Sequence, residues 1–154
     1  MRGDNDVLSV GRSGQPAGLL TSTFDEREAS LSPDGRLLAF ISDESGANEL
    51  YVSTFPTTGP RTRVSANGGF DIRWSRHGQE LIYRVPGGVV MAVPVQLTSN
   101  GTITIGKAEQ LFRMPPALAW AAYDVSADGQ RFLAAVRKEV ASLQPLTVLV
   151  NALR

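Results

Sequence analysis

Few residues of this 154-residue chain have types and spacing suited to catalysis. His77 is the only histidine, so a Ser-His-Asp triad or a histidine-based lyase centre would have to use it. It falls in Ser75-Arg76-His77-Gly78, at the second central position of a hairpin turn, where backbone tolerance selects the residue. Gly11-Arg12-Ser13-Gly14 lacks the spacing of a G-x-S-x-G nucleophile elbow. No G-x-G-x-x-G, Walker, H-R-D or D-F-G run occurs, which argues against a nucleotide or kinase site. Asp4-Asn5-Asp6 offers oxygen ligands but matches no calcium-loop spacing, and Arg2-Gly3-Asp4 spells an adhesion tripeptide too short to carry weight. The expectation is therefore no catalytic residue, no cofactor and no metal. Trp120 and Tyr123, beside Met114-Pro115-Pro116, are the residues best suited to an interaction rim, since Trp and Tyr are frequent interface anchors.

What must position these residues is a repeated turn. Ser32-Pro33-Asp34-Gly35 puts proline's fixed φ at the first central position and a left-handed glycine at the end. The Ser32 hydroxyl is expected to close the turn by bonding an N–H two residues on. The frame returns as Ser75-Arg76-His77-Gly78 and as Ser126-Ala127-Asp128-Gly129, so the structural turn residues are Ser32, Asp34, Gly35, Ser75, Gly78, Ser126, Asp128 and Gly129. The second copy lacks the Pro-Asp pair and is expected to form a less rigid corner. Each copy lies between apolar runs, which is a β-hairpin signal.

Bulk composition narrows the class. Lys+Arg and Asp+Glu both number 15, so no net field argues for nucleic acid or an anionic surface. Cysteine is absent, which excludes disulfides and Cys-ligated zinc. No apolar run approaches the ~20 residues of a membrane-spanning helix. Met1 to Asp6 is polar and does not read as a signal peptide, which leaves the compartment of a longer parent open. Fifteen glycines, nine prolines and short β-branched runs without 3.6-residue periodicity indicate an all-β chain.

The turn glycines stand 43 and 51 positions apart, and a period of about 40–50 residues with several strands per unit is that of a propeller blade. First strands are expected at Glu28–Ser32, Asp71–Ser75 and Tyr123–Ser126, and buried second strands at Arg36–Ser42, Glu80–Val85 and Arg131–Val136. Third strands follow at Glu49–Phe55, Val89–Leu97 and Leu146–Ala152, the last after a loop over Arg137–Gln144. Fourth strands are expected at Arg61–Ser65 and at Thr102–Ile105, the latter running on towards Phe112. Asp6–Val10 and Ala17–Thr21 read as the outer strands of a preceding blade. The domain thus divides into 6–21 (outer strands), 28–65 (blade), 71–112 (blade) and 122–154 (incomplete last blade).

Leu20-Thr21, Ser32-Gly35, Leu38-Phe40 and Leu50-Val52 together resemble the repeat of the TolB-like, WD-repeat-like bacterial β-propellers. Ser42 to Pro56, "SDESGANELYVSTFP", is a close match, and "MAVPV…LF…YDVSADGQRFL", from Met91 to Leu133, is similar to the C-terminal blades of propellers fused to bacterial serine/threonine kinases. The resemblance implies a partial β-propeller of about three four-stranded antiparallel blades, with Trp74 packed between blades. It implies a non-catalytic module that meets a protein or peptide as sensor or scaffold of a larger protein. The alternative is the propeller portion of an enzyme, a prolyl-oligopeptidase-like gate or a lyase. Spare outer strands at one end and an incomplete blade at the other suggest half of a six-bladed ring, a homodimer in which each copy lends Ala17–Thr21 to the other; the alternative is a fragment of a longer propeller.

Overall fold

The computed structural model describes residues 5–118 and 121–135, and every described strand is antiparallel to its neighbours. A hairpin, β1 (Val7–Val10) and β2 (Pro16–Leu20), precedes a four-stranded sheet of β3 (Glu26–Leu31), β4 (Leu37–Ser42), β5 (Glu49–Thr54) and β6 (Thr62–Arg63). The second sheet holds β7 (Phe70–Ser75), β8 (Glu80–Val85), β9 (Val89–Leu97), β10 (Ile103–Ile105) and β11 (Glu109–Arg113). A last hairpin, β12 (Tyr123–Val125) and β13 (Phe132–Ala134), opens the third unit. Trp120, the loop over 137–144 and the third strand expected at 146–152 lie outside the described residues.

Strand alternation explains how the sheets stack. All six residues of β4 are buried, because each face of this strand meets a different neighbour. Leu37, Ala39 and Ile41 join Leu50 and Val52, then meet Leu81, Tyr83, Val93 and Val95 of the second sheet. Leu38, Phe40 and Tyr51 point the other way, onto Leu20 and Val7 of the first hairpin. The second sheet repeats the arrangement: Ile82, Val90 and Ala92 pack with Met114 and Leu118 against Tyr123, Val125 and Phe132. Phe112 meets Phe132 edge to face with ring centroids 4.9 Å apart. Hairpin, sheet, sheet and hairpin therefore form a row of consecutive blades.

Two elements differ from the sequence expectation. The outer strand of the second blade does not run unbroken from Thr102 to Phe112. It pairs with β9 as two pieces, Ile103–Ile105 opposite Val95–Leu97 and Glu109–Arg113 opposite Val89–Ala92. Pro94 lies between and has no N–H for the ladder, so pairing is interrupted there. The Gly106 N–H still donates to the Pro94 carbonyl (2.8 Å), and a Cβ on Gly106 would come within 2.9 Å of Pro94. The inner strands β3 and β7 also depart from straight strands. Each carries a bulge, with left-handed Glu28 (φ 52°) and Asp71 (φ 56°) and register shifts between Arg27 and Ser30 and between Phe70 and Arg73.

Candidate functional site

The three turns lie along one edge of the row, one to each blade, and lock the blades together. Gly35, Gly78 and Gly129 have φ of 68°, 89° and 73°, a region where glycine carries no Cβ penalty. The Ser32 hydroxyl acts differently from the expected two-residue bond. It donates to the Asp34 carboxylate (2.6 Å) and accepts from the N–H groups of Arg36 (3.2 Å) and Leu37 (2.9 Å). Ser126 repeats this pattern with Asp128 and the Arg131 N–H. In both turns the serine hydroxyl holds the aspartate carboxyl below its usual range.

The second turn reaches the same end by other means. Arg76 (φ 46°) and His77 (φ 56°) are both left-handed, and Ser75 donates instead to Glu80, 2.8 Å away. Glu80 thus replaces the missing aspartate, and Arg76 pairs with it at 3.4 Å. His77 contributes its backbone: its N–H donates to the Ala127 carbonyl of the next turn (3.3 Å). Successive turns nest. A Cβ on Gly78 would stand 3.1 Å from Pro33, and one on Gly129 would stand 3.3 Å from Ser75 and Glu80.

The inner strands β3, β7 and β12 meet near the middle of the row in a polar seam. The Asp71 N–H donates to the Glu28 carboxylate of the preceding blade (2.6 Å). The Asp71 carboxylate pairs with Arg84, whose side chain is buried, and the Asp71 carbonyl accepts the Tyr123 hydroxyl of the following blade (2.6 Å). Arg84 lies over the rings of Phe70 and Tyr123, 5.3 Å from each centroid, and Arg73 lies 5.4 Å over Tyr123. Such stacking holds a desolvated guanidinium between aromatic faces. Tyr123 is therefore 3% exposed and inside the seam, not on an open rim. Burial raises its phenol, which keeps the hydroxyl a donor. Trp74 is half-buried between blades, its indole N–H donating to the Ser30 carbonyl (3.1 Å).

Two cavities open along this seam between the first two blades, and Glu28 borders both. One, of about 290 Å³, is walled by Ile41, Phe70 and Pro86 with Arg27, Asn48 and the Gly68-Gly69 backbone. The other, of about 570 Å³, runs along Ser30, Asp71 and Arg73. Glu28 keeps part of its surface in water, yet crowding around its carboxyl raises its pKa above the ordinary 4.5, against the pull of Arg27, Arg73 and Arg84. The folded chain then binds more protons than the unfolded one just above that value. The Glu28 contribution is fully present below pH 4.5 and is lost as pH rises through the raised value. Glu28→Gln is accordingly expected to raise the urea midpoint modestly at pH 7 and to flatten its pH dependence above 4.5. An unchanged pH profile would refute a desolvated carboxylate here.

Sequence reasoning found the turns but not Glu28, Asp71, Arg73 or Arg84. One signal was available: Glu28 and Asp71 each stand seven positions before their turn glycine, an acid at one repeat position. Among the described residues no group of three or more acidic or histidine side chains is placed to hold a metal ion, and no helix is long and apolar enough to cross a membrane.

Bulged inner strands, buried middle strands and nested turns define an all-β chain built as consecutive blades, a partial β-propeller. No family model matches the sequence, and no curated protein does. Among solved structures the chain is similar to the oligogalacturonate lyase of Vibrio parahaemolyticus, with a TM-score of 0.60 and 15% sequence identity. The match covers 93% of this chain and 38% of the lyase, so the chain spans well under half of that protein's length. At that identity the likeness concerns the fold alone.

Proposed function

We propose that this chain is a non-catalytic propeller module of the TolB-like, WD-repeat-like kind, and that it holds a protein or peptide segment as a sensor or scaffold part of a larger bacterial protein. The observation that carries this reading is the crevice between the first two blades: apolar walls (Ile41, Phe70, Pro86) with a few polar groups (Arg27, Glu28, Asn48) at its edge. That composition is typical of ligand pockets. Its volume of about 290 Å³ suits one or two peptide side chains better than a row of sugar rings. The charged groups deeper in the seam are engaged with one another across the blades, as expected of groups that hold a scaffold together.

The alternative, an enzyme's propeller portion acting as peptidase gate or lyase, would make Glu28 the natural base, since it is the carboxyl at this crevice with a raised pKa. Two measurements separate the readings. Random peptides displayed on phage and selected on the chain are expected to yield binders whose affinity falls at least tenfold in Arg27→Ala/Asn48→Ala. Incubation with oligogalacturonate is expected to give no rise in the ultraviolet absorbance of unsaturated products. Turnover that disappears in Glu28→Gln would replace the module reading with the lyase.

A further inference from the structure

The arginines around the polar seam are each matched to a carboxylate. Arg27 pairs with Asp25, Arg84 with Asp71, and Arg73 with Asp124 at 3.7 Å. Glu28 is the carboxylate left over. It accepts the Asp71 N–H at 2.6 Å, but among the described residues it forms no ion pair. With Glu28 ionised, Arg27, Arg73 and Arg84 face Asp25, Glu28, Asp71 and Asp124, which leaves one negative charge unmatched. That charge borders the crevice walled by Ile41, Phe70 and Pro86. Crowding there disfavours the charged carboxyl, which raises its pKa. A cation entering the crevice would offset that cost with a charge-assisted hydrogen bond.

We infer that the crevice takes a lysine or arginine side chain of the peptide segment. Its apolar stem lies on Ile41, Phe70 and Pro86, and its charged head meets the Glu28 carboxylate. On the peptide reading proposed above, on which this assignment rests, that residue anchors the segment. Long basic side chains bury their methylenes along apolar surface while the head seeks water or an opposite charge. A wholly apolar side chain would fill the walls and leave Glu28 desolvated without a partner. An acidic one would meet Glu28 with like charge. A bare metal ion would need a group of ligands that the described residues do not present. The volume of about 290 Å³ accommodates one such basic side chain.

Phage-displayed peptides that bind the chain and are weakened by Arg27→Ala/Asn48→Ala are expected to share a lysine or arginine. Synthetic copies then carry norleucine for that lysine, or citrulline for that arginine, which keeps the stem and removes the charge. The exchange is expected to raise Kd by about tenfold or more on the wild type. On Glu28→Gln, which has already lost the partner of that charge, it is expected to cost less than about threefold. Crevice binders without a shared basic residue would overturn this assignment and leave the peptide reading standing. An exchange that costs nothing on the wild type, or the same on both proteins, would do likewise. A selection that yields no crevice binders would overturn the two together.

Discussion

Arg61→Ala is expected to lower the free energy of unfolding by about 3–5 kcal/mol at neutral pH, the range for removing one partner of a buried ion pair. Glu26 opens β3 with a side chain wholly out of water, and its Oε1 accepts from Arg61 at 2.7 Å and from the Ser22 hydroxyl at 2.5 Å. Its Oε2 has no hydrogen-bond partner among the described residues. The same guanidinium bonds Glu44 at 2.6 Å and lies 5.3 Å over the ring of Phe40. Alanine would leave the carboxylate buried with one hydroxyl for company. Urea denaturation measures the loss, and the double variant Glu26→Gln/Arg61→Ala identifies its cause. If the buried charge is responsible, the double variant is more stable than Arg61→Ala alone. If the two are equally stable, the guanidinium acts through its packing on Phe40.

The second large effect separates two glycines that look alike in sequence. Valine at Gly35 is expected to cost about 1–2 kcal/mol, the penalty of a left-handed backbone with a Cβ. Valine at Gly129 adds an overpacking cost of about 1–3 kcal/mol, because its Cβ would press on Ser75 and Glu80 at 3.3 Å. A Cβ on Gly35 meets nothing within 4 Å, so its cost is that of the backbone alone. Equal urea midpoints for the two valine variants would mean that the turns do not nest.

These residues show which features were legible in the sequence. Local steric rules place a left-handed glycine after Ser-Pro-Asp, so the turn could be read from four letters, and its recurrence gave the blades. The continuous apolar run of β4 could only mean burial on both faces, and its six buried residues have that reason. The replacement of Asp34 by Glu80 in the second turn was not legible, because Glu80 lies outside the turn and reaches Ser75 only once β7 and β8 pair. Tyr123 looked like a rim anchor because a Tyr in a proline-bearing approach can face either way. Its burial follows from Asp71, 52 positions earlier, offering a carbonyl.

By itself the sequence determined the class of the fold, since turn geometry and strand alternation depend on neighbours a few residues apart. The tertiary structure alone decided the seam of Glu28, Asp71, Arg84 and Tyr123. Each member comes from a different strand, and its charge or hydroxyl acquires a role only where blades stack and water is thinned between them. Long-range desolvation and pairing leave no local pattern in the chain, so the crevice and its raised carboxyl emerge only when the inner strands stand side by side.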